Sequence, residues 1–139
     1  MVRNEAFRWV QLLERRNVDE LSRCSDPDHG SDLERAPSPL RPRDQVSQLV
    51  DAYFESYDGV ETGPDARSPE LFQLGENAGA DAEFAAQVAA DEGDDVVAVR
   101  QVVLDPDHNR DFALTGWVDL GRSKQLGRAI LVFDAISRT

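Results

Sequence analysis

The sequence predicts an α+β fold class, with N-terminal helices packed on a curved antiparallel sheet of three or four strands. Two observations carry the prediction. Val46, Leu49, Val50, Tyr53, Phe54 and Tyr57 recur at the spacing of one helix face within residues 43–57. Further on, "VVAVRQVVL" (96–104), "FALTGWVDL" (112–120) and "RAILVFDAI" (128–136) are short runs rich in Val, Ile, Leu and Phe, joined by seven-residue turns. Turns that short require antiparallel neighbours. The apolar face of such a meander needs a cover, and the 43–57 stripe supplies one.

Taken in order, residues 3–16 read as a helix, with Ala6, Trp9, Val10 and Leu13 on one face. Phe7 and Leu12 fall off that face, so the helix is expected to be covered on more than one side. Residues 17–24 form a second, short helix. Asn17 opens it and Glu20 follows three residues later, the spacing of a capping box. Residues 25–42 hold four prolines and no periodicity, and read as a long surface loop. After the 43–57 helix, Asp58-Gly59 is expected to supply a left-handed stop. Residues 70–74, "ELFQL", are a strand candidate. Residues 75–95 carry seven acids and no basic residue, and read as an acidic insertion. The meander occupies 96–136, and the whole chain 1–139 reads as one domain.

Composition narrows the function classes. A net charge of −12 opposes non-specific nucleic-acid binding, because phosphate backbones are repelled on average. The charge is uneven. Residues 1–43 balance eight Arg against eight acids, whereas 44–139 carry nineteen acids against seven basic residues. An anion-binding surface is therefore expected on the first helices, where Arg3, Arg8, Arg15 and Arg16 lie, if those residues do more than solvate the helix. Lys124 is the sole lysine beside fourteen arginines, a bias typical of high-GC genomes. No run approaches the length of a membrane span. The first residues lack an apolar leader segment. The one cysteine, Cys24, fits a reducing cytoplasm. A homodimer is compatible with all of this.

The sequence lacks the phosphate-loop, dinucleotide-fold, zincin and serine-hydrolase signatures. No catalytic residue and no cofactor is assigned. The turn "DPDHNRD" places oxygen-bearing side chains at positions 1, 3, 5 and 7, the pattern of a calcium loop. Its position 6 is Arg110 and its position 12 is Gly116, where that loop needs glycine and glutamate. Asp105, Asp107, His108 and Asp111 are thus weak metal candidates, and turn formation explains the same letters. On that reading, hydrogen bonds of His108 and Asp111 fix the turn. A second Asp-Pro-Asp-His copy, at 26–29, lies in the proline-rich loop. Trp117 and Asp119 share one face of the middle strand, where an aromatic beside a carboxylate can raise its pKa. Asp134 interrupts an apolar strand, and is expected either to face solvent or to pair with Arg100. Trp9, Tyr53, Phe54 and Tyr57 are expected in the core.

Three segments, 1–16, 53–74 and 99–138, together resemble the C-terminal region of an actinobacterial family of DEAD/DEAH-box RNA helicase-related proteins. The matching residues are Tyr53, Phe54, Tyr57, Asp58, "GPDAR" (63–67), "VRQ" (99–101), Asp105, Pro106, His108, Asp111 and "VDL" (118–120). The helicase motor itself has no counterpart here. The resemblance implies an accessory domain and carries over no catalytic residue. It also marks Gly63 as a residue of special backbone conformation, and Arg67 as a clamp on Asp58, Asp65 or helix-end carbonyls, with a ligand-facing Arg67 as the alternative.

Helices followed by a meander is also the order of the cone-shaped, nuclear-transport-factor-2-like architecture, an expectation by analogy. The leading functional expectation is a non-catalytic accessory or interaction domain. It would act through protein or RNA-machinery partners, with structured RNA meeting the Arg-bearing first helix. The alternative is a small-molecule-binding or enzymatic cone-type domain with a pocket on the concave sheet face. The binding candidates are Tyr57, Asp58, Arg67, Trp117 and Asp119.

Overall fold

A computed structural model describes residues 2–26, 41–74, 96–119, 123, 127 and 129–138. Three helices precede a four-stranded sheet: α1 (Val2–Glu14), α2 (Val18–Arg23), α3 (Arg43–Ser56), β1 (Phe72–Leu74), β2 (Val96–Val102), β3 (Phe112–Asp119) and β4 (Leu131–Arg138). The strands lie in chain order, every pair antiparallel, which is the predicted meander. Residues 27–40 of the stretch 25–42 read above as a loop, and the acidic insertion 75–95, lie outside the described residues.

α1 is buried on more than one side, as its sequence implied. Phe7 and Leu12 are buried along with Ala6, Trp9, Val10 and Leu13. The helix lies against α2 and against strands β2, β3 and β4. It ends with Arg16 in the left-handed conformation (φ 54°). The Asn17 N–H then donates to Leu12 O and the Arg16 N–H to Leu13 O, which satisfies the last carbonyls of the helix. Asn17 caps α2 by accepting the Glu20 N–H at 3.2 Å. The Glu20 carboxylate does not return the bond and lies near Arg8 and Arg23 instead, so the capping box is half formed.

The α3 stripe packs as spaced. Val46, Val50, Tyr53 and Tyr57 are buried, while Leu49 and Phe54 flank the core half-buried. Tyr53 meets Phe112 edge-to-face at 5.3 Å. The helix does not end on a left-handed Gly59. Tyr57 turns extended (φ −139°, ψ 146°), and the Tyr53 hydroxyl holds the departing chain by donating to Gly59 O at 2.7 Å. The "ELFQL" strand begins late, because Pro69 starts a 3-10 turn over Pro69–Leu71.

The sheet's inner face meets α1. Gly116 sits beneath Trp9, whose ring packs against Phe133 at 5.7 Å. Pairing of β3 with β4 slips between Thr115 and Gly116, where the register skips Asp134. That bulge explains the acid inside an apolar strand. Asp134 is buried and neither faces solvent nor pairs with Arg100. Arg41 donates to its Oδ1 from Nε at 3.1 Å and from Nη2 at 2.7 Å. A buried carboxylate needs such a partner to offset its lost hydration. Arg100 instead donates to Gln73 Oε1 on β1.

Candidate functional site

Parts of two of the three segments that carry the family resemblance converge at one end of the sheet. The first runs from α3 through a 3-10 turn at Pro64–Arg67 into β1. The second is the turn between β2 and β3. Backbone joins them, with the Glu61 N–H donating to Leu104 O at 2.9 Å.

The β2–β3 turn is organised by Asp105, which is 1% exposed. Its Oδ1 accepts the N–H groups of Asp107 and Asn109, each at 3.0 Å, and its Oδ2 accepts that of Arg110 at 2.8 Å. This is the local Asp-to-backbone bonding that makes Asp a turn former. Both of its oxygens are thereby engaged. Asp111 is engaged as well, by the hydroxyl of Tyr57, which also accepts from Asn109 Nδ2 at 3.2 Å. The Asp111 carboxylate holds the Tyr57 phenol above its ordinary pKa. Among the described residues, no group of three His, Cys, Asp or Glu side chains is arranged to hold a metal ion.

The role expected of His108 moves to Asp105. Among the described residues the His108 ring makes no hydrogen bond. Its backbone matters instead, with φ 58° and an N–H donated to Asp105 O at 2.9 Å. Arg110 is likewise left-handed (φ 59°). Two non-glycine residues in that region within one turn cost about 1 kcal/mol or more each, and the three bonds to Asp105 offset it.

Between the two segments lies an open cleft of about 430 Å³, lined by Pro64, Asp65, Ser68, Glu70, Leu104, His108 and Arg110. Arg110 spans it to Glu70 at 3.7 Å, and Ser68 donates to Glu70 at 3.2 Å. Asp65, Glu70, His108 and Arg110 are exposed. The sequence singled out the turn but not Asp65 and Glu70 as its neighbours, because β1 pairing with β2 is what sets them opposite it.

The binding candidates do not gather at one place. Tyr57 underpins the cleft from within, against Phe112, and Asp58 is exposed beside it. Arg67 is not the expected clamp. Its guanidinium turns to the Phe7 ring, 4.4 Å from the centroid. Gly63 is not conformationally special either. Its φ is −76° and a Cβ there would meet nothing within 4 Å. Trp117 lies along β3 on the face opposite Gly116 and Phe112 and pairs with Ala98, and, two residues on, Asp119 pairs with Val96. The Trp117 indole N–H is buried and has no hydrogen-bond partner among the described residues. Cys24 is buried, and burial pushes its thiol up to about 11, so it holds little thiolate at neutral pH.

Comparison with known proteins gives one finding. A family model described as Domain of unknown function (DUF3516) matches residues 1–136. No curated protein and no solved structure matches the chain.

Proposed function

The chain belongs to the DUF3516 family of domains of unknown function, and we propose that it serves as a non-catalytic accessory domain that docks a protein partner from RNA-processing machinery on the cleft between Pro64–Glu70 and the β2–β3 turn. One observation supports the reading. Two stretches within the segments that carry the resemblance to RNA helicase-related proteins, 63–67 of the 53–74 segment and 105–111 of the 99–138 segment, flank one open cleft, with Tyr57 bracing the turn from beneath. The cleft's lining is mostly polar and exposed. Small-molecule pockets are enclosed and mainly apolar, whereas protein interfaces tolerate a polar, wet rim. Asp65 and Glu70, in a chain of net charge −12, favour a partner segment bearing Lys or Arg. The setting is a reducing cytoplasm.

Affinity capture from an actinobacterial lysate tests this, with wild type beside an Asp65→Arg, Glu70→Arg double variant. The wild type is expected to recover helicase, ribosomal or other RNA-associated proteins, and the variant to lose them. Both sites are exposed and the Glu70–Arg110 pair is a surface contact of small worth, so the variant should still fold. If the wild type recovers no such protein the reading fails, and if the variant retains them the cleft is not the contact.

The orphan N–H of Trp117 favours a second reading, a small ligand with an acceptor atom on the outer sheet face. A thermal-shift screen decides it. The expected hit loses its effect in Trp117→Phe, and a hit that survives that change is not bound there.

A further inference from the structure

Two arginines that have no acid partner among the described residues line one cavity. Arg3 stands on the first turn of α1 and Arg67 closes the 3-10 turn of Pro64–Arg67. Although far apart in sequence, they line one cavity of about 30 Å³ together with Asn4, Phe7 and Gln101. The chain carries 27 acids against 15 basic residues, so an arginine here has an ample supply of carboxylates. Arg8, Arg23, Arg41, Arg43 and Arg110 each have one. Arg3 and Arg67 have none among the described residues, as is true of Arg15, Arg16, Arg100 and Arg138, but these two share a cavity.

Arg3, Asn4 and Arg67 are exposed, while other parts of the lining are held in place. Arg67 rests on the Phe7 ring, a contact that orients the guanidinium plane and removes water from one side of it. Gln101 is part of the lining. It is 2% exposed, and its Nε2 donates to Leu71 O and to Val102 O, each at 3.3 Å, so the amide cannot swing away. Two guanidinium charges lining one cavity favour an anion there. Each presents donors in a planar fork that matches the oxygens of a phosphate. The volume suits one or two water-sized groups, hence the oxygens of a single oxyanion and not a nucleobase or a metabolite ring.

We propose that Arg3, Arg67 and Asn4 form a binding site for a phosphate-class oxyanion. The site is separate from the cleft and does not depend on the protein partner proposed there. Free phosphate, the phosphate of a nucleotide and the backbone of single-stranded RNA share this chemistry.

The test is a titration of the isotope-labelled full chain at low salt, followed by amide chemical shifts. The ligands are inorganic phosphate, a nucleoside monophosphate and a short single-stranded RNA. Saturable shifts are expected at residues 3–7, 66–67 and 101. Arg67→Gln and Arg3→Gln should each weaken binding by about tenfold or more, the loss of one charge-assisted partner. Arg67→Lys should recover only part of it. Arg8→Gln, on the same helix but facing Glu20, should change nothing. Melting temperatures without ligand verify that the variants fold, and Arg3→Gln answers the question if Arg67→Gln does not. RNA that binds more tightly than phosphate through the same residues identifies a nucleic-acid backbone as the source. Phosphate or the nucleotide binding at least as tightly identifies a free phosphate. The proposal is overturned by an absence of saturable shifts. It is equally overturned if Arg8→Gln weakens binding as much as Arg67→Gln, or if RNA binding survives Arg67→Gln and Arg3→Gln.

Discussion

Gly116→Ala is expected to destabilise the domain by roughly 3 kcal/mol or more, one of the two largest effects predicted here for a single substitution. A Cβ at Gly116 would stand 2.2 Å from the Val132 carbonyl oxygen and 2.6 Å from Cη2 of Trp9. The first neighbour is backbone of the paired strand and cannot yield without breaking the ladder. The second is a fully packed ring held against Phe133. The glycine is required by close approach and not by its φ, which is not left-handed. Because Gly116 also lies beside the slip that leaves Asp134 facing Arg41, relief by sheet movement would disturb that buried pair. Denaturant unfolding measures the effect directly. A change within about 0.5 kcal/mol of wild type, the range of ordinary surface substitutions, would show that the sheet does not close on α1 as described.

Asp105→Ala is the second. It leaves three backbone N–H groups without their acceptor and removes what holds His108 and Arg110 left-handed. Hydrogen bonds to a charged group are worth about 1.5–3 kcal/mol each, and part is regained from water because the turn is exposed. A loss of about 2–4 kcal/mol is expected. The turn should also relax, so the Tyr57–Asp111 bond loosens and partner capture falls even where the protein remains folded. His108→Gly is the contrast. Glycine takes a φ of 58° without strain, so that variant should be as stable as wild type or slightly more so. If Asp105→Ala proved as mild as His108→Gly, the carboxylate would not organise the turn.

How much of this was legible in the sequence follows from which interactions are local. The α3 stripe and the alternation along β3 fixed the layers, because helix and strand periods are set by residues a few positions apart. In the structure Val46, Val50 and Tyr53 are buried, and Gly116 and Trp117 lie on opposite faces. What failed depended on distant pairing or on backbone details. Arg41 reaching Asp134 joins residues 93 apart, and no local pattern announces it. Arg67 stacking on Phe7 is of the same kind. Gly63 and Gly59 look like conformational specialists in the sequence, yet besides Gly127 the left-handed positions among the described residues are Arg16, His108 and Arg110. There a capping pattern or a buried carboxylate pays the strain, so the glycine signal is missing where it was needed. For the candidate site, the turn letters Asp105, Asp107, His108 and Asp111 were visible, but the cleft was not, because its other wall is brought up by β1–β2 pairing.

Amide hydrogen exchange of the domain, alone and with its captured RNA-processing partner, tests the central claim most directly. Added protection confined to residues 61–70 and 104–111, and absent from the Asp65→Arg, Glu70→Arg variant, is the predicted result. Protection that appears on the outer sheet face around Trp117, with the cleft segments unchanged, would contradict it.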